Sequence, residues 1–147
     1  MVIAKFPPIE NADEHGIVAM GGDLEVASLK LAYTQGIFPW PFSPDHPLLW
    51  YSPNPRGILD FKHLKAPSSF KKWLKHQPFQ VEVNTDFPSV ILACAEAKNR
   101  KDGMSTWIID RMIDAYIDLH FAGHAFSIEV YRENDLVGGL YGVHFGK

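Results

Sequence analysis

Cysteine is almost absent from this chain, in which Cys94 is the only one. A lone cysteine cannot form an internal disulfide, so the composition indicates a reduced, cytoplasmic setting. Long apolar runs are absent as well, and no stretch approaches the ~20 apolar residues that a membrane-spanning helix needs. The opening residues, MVIAKFPPIE, lack the apolar core of a secretory signal, and we therefore expect no such signal.

A large excess of one sign of charge is also absent. The chain has 14 Lys and Arg residues and 17 Asp and Glu residues, and the resulting net charge of −3 does not require a nucleic-acid partner. A local excess exists in residues 62–76, which contain no acid and five lysines: Lys62, Lys65, Lys71, Lys72 and Lys75. Such a run is typical of a solvated helix face and is equally able to bind phosphates, and the composition leaves both interpretations open.

Caps and apolar spacing predict four helices in the 147 residues, which suffice for one domain or for two small ones that share a core. The helices are expected from Asp23 to Gly36, over 67–76, from Asp86 to Ala97, and from Ser105 or Thr106 to Gly123. Alternating apolar residues predict a strand over Phe79–Asn84 and a hairpin over 126–145 that turns at Asn134–Asp135. This order indicates an α/β (α+β) fold.

Residues 36–59 combine six prolines with several aromatic residues, among them Trp40 and Trp50. The prolines are typical of a linker, whereas the aromatic residues are typical of a core or a binding surface. Tyr33 and Trp107 add to an aromatic content that is high for this length. The core is the usual place for such residues, but rigid aromatic faces near a lysine cluster also suit a single-stranded nucleic-acid end, with stacked bases and paired phosphates.

Three other patterns point less clearly to chemistry. His120 and His124 have the spacing of a zinc site, but Phe121 stands where zinc proteases carry glutamate, so we expect no metal. Cys94 lies in an apolar stretch, which favours an inert buried thiol. Gly138–Gly142 lies inside a predicted strand, where it indicates either a bulge with close backbone approach or the approach of a substrate, and the sequence does not decide between them.

Five segments together resemble one family, the bacterial leucyl/phenylalanyl-tRNA–protein transferases: GIVAMGGDLEVASLKLAYTQGIFPW, LLWYSPNPRGIL, STWI, AYIDLHFAGHAFSIEV and DLVGGLYGV. The resemblance implies transfer of Leu, Phe or Met from aminoacyl-tRNA to the N-terminal Arg or Lys of a protein, which marks that protein for N-end rule degradation. It also implies a small N-terminal domain, residues 1–57, packed on a GNAT-like acyltransferase domain, residues 58–147, that is incomplete at its C-terminus. No metal or other cofactor is expected, because aminoacyl-tRNA is the activated donor.

The same resemblance implies roles for particular residues. Trp40 would contact the 3′-terminal adenosine with support from Tyr33, and Trp107 and Tyr116 would also line the donor site. Leu140 corresponds to a position in the family's apolar amino-acid pocket. The family's basic tRNA-binding helix corresponds to a segment with Ser68 at one usual arginine position and with three lysines: Lys71, Lys72 and Lys75.

The resemblance also implies a missing part. Members of the family continue beyond the GGLYGV run with an acidic residue, a catalytic glutamine and most of the amino-acid pocket. We therefore expect the catalytic residues beyond Lys147, assign no general base, and expect the 147-residue chain alone to lack transferase activity. Two alternatives stay open: a non-catalytic RNA-end or peptide-binding module derived from the family, and self-association through the open edge of the last strand.

Overall fold

The computed structural model describes residues 2–97 and 106–145. Within those residues, four α-helices accompany two antiparallel sheets of three strands each, which confirms the α/β (α+β) class. The helices are α1 (Val26–Thr34), α2 (Ser68–Leu74), α3 (Phe87–Glu96) and α4 (Asp110–Phe121). None of these helices is long and apolar enough to cross a bilayer.

The first sheet contains the proline-rich segment. Its strands are β1 (Ile17–Met20), β2 (Phe38–Pro39) and β3 (Leu49–Tyr51), in the order β1-β3-β2. Trp50 is fully buried in the central strand, packs edge-on against Phe6 with ring centroids 4.8 Å apart, and donates its indole N–H to the Gly21 carbonyl at 2.8 Å. The segment is therefore part of a packed sheet rather than a linker, and Trp50 belongs to the core.

Helix α1 begins later than the sequence suggested. Asp23 was expected as the N-cap, but Glu25 occupies that position and the helix starts at Val26. The Asp23 carboxylate accepts hydrogen bonds from the Glu25 amide at 3.1 Å and from the Ser28 hydroxyl at 2.6 Å, which holds the two residues before the helix in a turn. The predicted end is confirmed, since Gly36 follows the helix with a positive φ of 73°.

The second sheet supports α3 and α4 on one face. Its strands are β4 (Phe79–Val83), β5 (Ala125–Arg132) and β6 (Asp135–Val143), in the order β4-β5-β6. Asp86 caps α3 as predicted by accepting from the Ser89 amide at 3.2 Å. Both helices bury apolar residues that join the core of the first sheet, including Phe87, Ile91, Met112, Tyr116 and Leu119.

Helix α4 also begins later than predicted. It starts at Asp110 and not at Thr106, while Ser105 lies outside the described residues. The Thr106 hydroxyl accepts the Ile108 amide at 3.0 Å, and Ile109 is extended, so the chain turns before it becomes helical. Ile108 is nevertheless buried, because the turn directs it into the same core as the helix.

The hairpin between β5 and β6 turns one residue earlier than predicted, at Glu133–Asn134, with Arg132 paired to Asp135. Glu133 takes the positive φ of 60° that closes this tight turn. The ladder is irregular near the glycine run, because Val130 pairs with Gly138 while the next residue pairs with Leu136. The ladder skips Val137, which directly precedes the glycine run, so the bulge lies beside Gly138–Gly142 rather than inside it.

Two glycines of β6, Gly139 and Gly142, lie where neighbouring parts of the protein leave little room for a side chain. A Cβ on Gly139 would lie 3.0 Å from the Ile128 carbonyl oxygen and 3.3 Å from the methyl groups of Val90. A Cβ on Gly142 would lie 3.0 Å from the ring of Phe126. These contacts support the structural interpretation of the glycine run at these positions.

Candidate functional site

A cavity of about 480 Å³ lies where α1, α3, α4 and β6 meet. Its walls are mostly apolar, and the lining side chains that carry a polar atom are those of Tyr33, Cys94, Trp107, Tyr116 and Tyr141. Three of the residues expected at a donor site, Tyr33, Trp107 and Tyr116, are therefore brought together by the fold. An apolar pocket with a few placed polar groups is the usual form of a small-molecule site.

Two hydroxyls meet at the edge of this cavity. Those of Tyr33 and Tyr116 are hydrogen-bonded to each other, and the two rings meet edge-on with centroids 6.4 Å apart. Burial raises the pKa of Tyr33 to about 12. Burial, reinforced by the neighbouring Tyr33, raises the pKa of Tyr116 well above its ordinary value. Both phenols are therefore neutral near pH 7, and the pair can donate a hydrogen bond but cannot act as a base.

Trp40 and Trp107 form a stacked pair next to the cavity. Their centroids are 5.1 Å apart and their planes differ by 19°. Trp107 also meets Tyr116 edge-on at 6.4 Å, which connects the indole pair to the tyrosine pair. Trp40 is 44% exposed, so the pair presents indole surface to solvent while Trp107 supports it from behind. Flat aromatic surface of this kind is suited to stacking on a nucleic-acid base.

The backbone around Trp40 is held in place on both sides. Pro39 and Pro41 are fully buried, and the Trp40 amide donates to the Leu49 carbonyl at 2.8 Å. Phe38 lies on β2, two residues before Trp40, and its ring packs against the indole with centroids 6.2 Å apart. The buried prolines and this hydrogen bond hold the backbone on both sides of Trp40 against the first sheet, and the role of Trp40 as a binding face stays a prediction.

Sequence reasoning overlooked Tyr141. Its ring packs edge-on against Tyr116 at 5.8 Å and against Phe87 at 5.9 Å, and Phe87 stacks on His120 at 4.5 Å. The signal was present in the strand, because side chains of β6 alternate between its two faces. Tyr141 faces the cavity, whereas Leu140 points to the opposite side of the sheet.

Leu140 is accordingly not part of this cavity. It pairs with Ile128 on the outer side of the sheet, where it is 50% exposed. Its assignment to an amino-acid pocket stays a prediction.

The three lysines expected to bind tRNA lie at the short helix α2, with Lys71 and Lys72 inside it and Lys75 directly after its last residue. Lys71, Lys72 and Lys75 are all exposed. On the same helix, Phe70 stacks on Trp73 at 5.8 Å, and both rings are partly exposed. The lysines are accessible to a phosphate backbone, and their role stays a prediction.

The histidine pair is used in packing. His120 stacks on Phe87 and its Nδ1 lies 3.0 Å from the Ala125 carbonyl, while His124 stacks on Phe145 at 5.1 Å. Across residues 2–97 and 106–145, no group of three or more His, Cys, Asp or Glu side chains is placed to hold a metal ion.

A buried carboxylate that the sequence did not reveal supports the site from behind. Glu129 of β5 is fully buried, and its Oε1 accepts from the Ser127 hydroxyl at 2.5 Å and from the Asp86 amide at 3.3 Å. Burial by itself would raise the pKa of Glu129, but the hydrogen bonds from Ser127 and from the backbone of Asp86 and Thr85 lower it overall. Glu129 therefore anchors the first turn of α3, which carries Phe87.

Fold and site together define an α/β protein in which an apolar cavity adjoins a partly exposed pair of stacked indoles. Comparison with known families agrees with this class. The model of the leucyl/phenylalanyl-tRNA protein transferase matches residues 58–147, and the model of its N-terminal domain matches residues 22–54. The chain therefore belongs to the leucyl/phenylalanyl-tRNA–protein transferase family, which confirms the resemblance. The division at residues 57 and 58 and the GNAT-like architecture stay predictions.

Individual relatives agree with the family models. Leucyl/phenylalanyl-tRNA–protein transferases from Pseudoalteromonas atlantica and Pectobacterium carotovorum are 51% and 50% identical over 140 and 145 residues, which cover 94% and 97% of this chain. A relative of the same name from Flavobacterium johnsoniae is 47% identical over 141 residues. These matches cover 58%, 60% and 66% of the relatives, so the chain spans about three-fifths of their length.

Proposed function

We propose that this protein takes part in moving Leu, Phe or Met from aminoacyl-tRNA to the N-terminal Arg or Lys of an acceptor protein in the cytoplasm, which directs that protein to N-end rule degradation. The observation that carries the proposal is the stacked pair of Trp40 and Trp107 beside the hydrogen-bonded hydroxyls of Tyr33 and Tyr116. The exposed indole of Trp40 suits the 3′-terminal adenine, and the adjoining cavity suits the ester and its apolar amino acid.

The chemistry requires little of the protein beyond positioning and one proton transfer. The α-amine of the acceptor attacks the ester carbonyl, a C–N bond forms, the C–O bond to the terminal ribose breaks, and the ribose oxygen gains a proton as the amine loses one. The site has to orient the reactants and stabilise the oxyanion. Because Tyr33 and Tyr116 are neutral, one hydroxyl donates to the other, and the second proton is left for a substrate oxygen.

The general base is the missing element. Among the described residues that line the cavity there is no carboxylate or imidazole, and their raised pKa values keep the Tyr33 and Tyr116 phenols protonated near neutral pH. We place the base in the part of the relatives that has no counterpart in this chain. The 147-residue chain by itself is accordingly expected to bind the donor without transferring the amino acid.

Binding of tRNA would extend beyond its 3′ end. Lys71 and Lys72 on α2 and Lys75 at its end are exposed and suited to phosphates, and such a local cluster does not require a protein that is basic overall. Leu140 would contact the amino acid only from the outer side of β6, where a further segment of polypeptide would have to complete the pocket.

Two measurements on the 147-residue chain test the proposal. Leu-charged tRNA should bind more tightly than the same tRNA uncharged, because the ester-linked Leu adds contacts in the cavity. The chain should form no peptide bond between Leu and the N-terminus of an Arg-initiated peptide. The Pseudoalteromonas atlantica relative is the positive control and should form this bond. Equal affinity for the two tRNAs would contradict the donor site, and efficient transfer would contradict the assignment of the base.

A second candidate is a non-catalytic module that binds an RNA end or a peptide. It is favoured by one observation, namely that the aromatic residues come together within this chain while the described residues that line the cavity include no carboxylate or imidazole. The two candidates differ once the rest of a relative is supplied in trans. Restored transfer supports the enzyme, and binding without transfer supports the module.

Self-association through the open edge of β6 also stays a prediction. A second copy could pair with that edge, since β6 lies at the end of the order β4-β5-β6. Light scattering of the purified chain measures its mass in solution, and a monomer at high concentration would contradict the prediction.

A further inference from the structure

A second cavity, of about 390 Å³, lies at one end of the first sheet, where the chain enters β2 and leaves β3. We call it the Arg56 cavity. Its polar side chains are those of Glu10, Ser52, Asn54 and Arg56, and Pro53 adds apolar wall. The cavity thus combines a guanidinium, a carboxylate, an amide and a hydroxyl, which suits a polar ligand rather than an apolar side chain.

Two contacts hold the Arg56 guanidinium in one orientation. Its Nη2 donates to the Gly36 carbonyl at 2.6 Å, and its Cζ lies 5.6 Å from the centre of the Phe38 ring. Glu10 lines the same cavity, yet within the described residues no carboxylate forms an ion pair with Arg56. The remaining N–H groups are therefore available to an anion, and an oriented guanidinium can bind a phosphate through two parallel hydrogen bonds.

A single aromatic ring connects the Arg56 cavity to the stacked indoles. Phe38 contacts the Arg56 guanidinium, and the same ring meets the Trp40 indole edge-on with centroids 6.2 Å apart. Gly36, whose carbonyl holds Arg56, comes three residues after Tyr33 of the first cavity. A ligand that stacks on Trp40 can therefore extend across Phe38 to the guanidinium and the cavity beside it.

We propose that the Arg56 cavity binds the cytidine nucleotide that precedes the terminal adenosine of tRNA. Every tRNA ends in the single-stranded sequence cytidine, cytidine, adenosine. With the adenine on Trp40, the phosphate that joins the last two nucleotides lies against Arg56 and the cytosine enters the cavity. Proteins recognise unpaired RNA bases by hydrogen bonds to their edges, and they position the backbone through its phosphates. The inference rests on the proposed donor site and extends it by one nucleotide.

Glu10 gives the cavity a preference between the pyrimidines. A carboxylate accepts a hydrogen bond from the N4 amino group of cytosine, whereas uracil presents a carbonyl oxygen at the same place. The hydroxyl of Ser52 and the amide of Asn54 can donate to the O2 carbonyl of the same base. These side chains therefore fit cytosine better than uracil, and the negative charge of Glu10 faces the base rather than the phosphate that Arg56 binds.

Three small ligands test the proposal on the 147-residue chain. The first is adenosine whose 3′ oxygen is replaced by an amide-linked leucine, and its affinity reports the donor site alone. The second and third are the same nucleoside extended at its 5′ oxygen by a cytidylate or by a uridylate. The cytidylate should raise the affinity about tenfold over the nucleoside, and the uridylate should raise it less. Isothermal titration calorimetry gives the three affinities.

Variants assign the gain to particular side chains. Arg56→Gln should lower the affinity for the cytidylate ligand about tenfold and that for the nucleoside much less, and Arg56→Lys should recover only part of the loss. Glu10→Gln should bind the two extended ligands equally, because an amide can accept from cytosine and donate to uracil. Arg132→Gln is the matched control, since Arg132 is an exposed arginine at the end of β5, outside the first sheet, and it should keep the gain.

The outcomes separate this inference from the proposed donor site. If the nucleoside binds but the cytidylate adds nothing, or if the gain survives in Arg56→Gln, the inference is wrong and the donor site stands. If the nucleoside fails to bind while the cytidylate ligand binds and requires Arg56, the inference stands and the donor site at Trp40 is wrong. Both are wrong if no ligand binds. A preference for cytidylate that persists in Glu10→Gln would contradict the reading of the base.

Discussion

The hydroxyls of Tyr33 and Tyr116 are hydrogen-bonded to each other although the residues are 83 positions apart. Tyr33 is at the end of α1 and Tyr116 is in the middle of α4, so the bond joins the part matched by the N-terminal family model to the part matched by the other. Both residues line the cavity, which is therefore sensitive to how α1 packs on α4.

Removal of one hydroxyl tests this bond. Tyr116→Phe leaves the largely buried Tyr33 hydroxyl without this partner, which should lower the free energy of unfolding by about 1–3 kcal/mol. Removal of both hydroxyls should lower it by less than the sum of the two single changes, because neither group is then left unpaired. Urea denaturation followed by circular dichroism measures all three variants. Strictly additive losses would show that the two hydroxyls are not coupled.

Trp40 tests the base-stacking surface. Trp40→Ala removes the exposed indole and should weaken binding of Leu-charged tRNA by about 1–3 kcal/mol, whereas Trp40→Phe should recover part of that loss. Phe42→Ala is the control, because Phe42 lies in the same segment, is 74% exposed and is not part of the stacked pair. Fluorescence anisotropy of labelled tRNA gives the affinities, and an unchanged value for Trp40→Ala would remove Trp40 from the donor site.

The lysines of α2 test the tRNA backbone contacts. Replacement of Lys71, Lys72 and Lys75 by Gln should weaken tRNA binding and make it less dependent on salt, since each phosphate contact contributes about 0.7–0.9 to the slope of log affinity against log salt. Lys5→Gln changes the net charge at an exposed position outside the helix and should have little effect. A salt slope that stays the same in the triple variant would exclude these lysines from the interface.

Glu129 gives a prediction in pH. Its folded pKa is lowered from the ordinary value of 4.5 by hydrogen bonds to the anion, so its stabilising effect is present above that pH and is lost as the pH falls towards the lower folded pKa. Glu129→Gln should therefore be less stable near pH 7 and should lose less stability below about pH 4.5, which thermal unfolding across pH measures.

Glu10→Gln is the control for this experiment. Glu10 is exposed and lies in the turn Ile9–Asn11, outside the second sheet, so its replacement should leave the pH dependence of stability that is due to Glu129 unchanged. An identical change in both variants would show that burial of Glu129 has no special effect.

Local signals predicted most of the secondary structure. The Asp86 cap, the Gly36 terminus and the alternation of Phe79–Val83 each act over a few residues, and the structure confirms them. The helix starts at Asp23 and Thr106 were predicted wrongly for a common reason. Each side chain accepts an amide hydrogen bond from two residues ahead, which forms a turn before the helix and delays its first turn.

The family motifs predicted individual residues of the candidate site but not how those residues are arranged in the fold. They indicated Tyr33, Trp107 and Tyr116 individually, and the fold brings these residues to one cavity. They could not indicate that Trp50 is core while Trp40 is partly exposed, because both lie among prolines in one segment and differ only in their tertiary neighbours. Glu129 was overlooked because a single glutamate in an alternating strand resembles an ordinary surface residue until both of its neighbouring elements are placed.

Membership of the family follows from the amino-acid sequence alone. Its motifs are short and occur in the same order along the chain, so they can be recognised without knowing which residues are in contact in the fold. Pairing is a different matter. Trp40 meets Trp107, and Tyr141 rather than Leu140 faces the cavity, only because α3 and α4 cover one side of the second sheet. Alternation along a strand separates two faces but does not say which face is covered, and that choice belongs to the packing of distant elements.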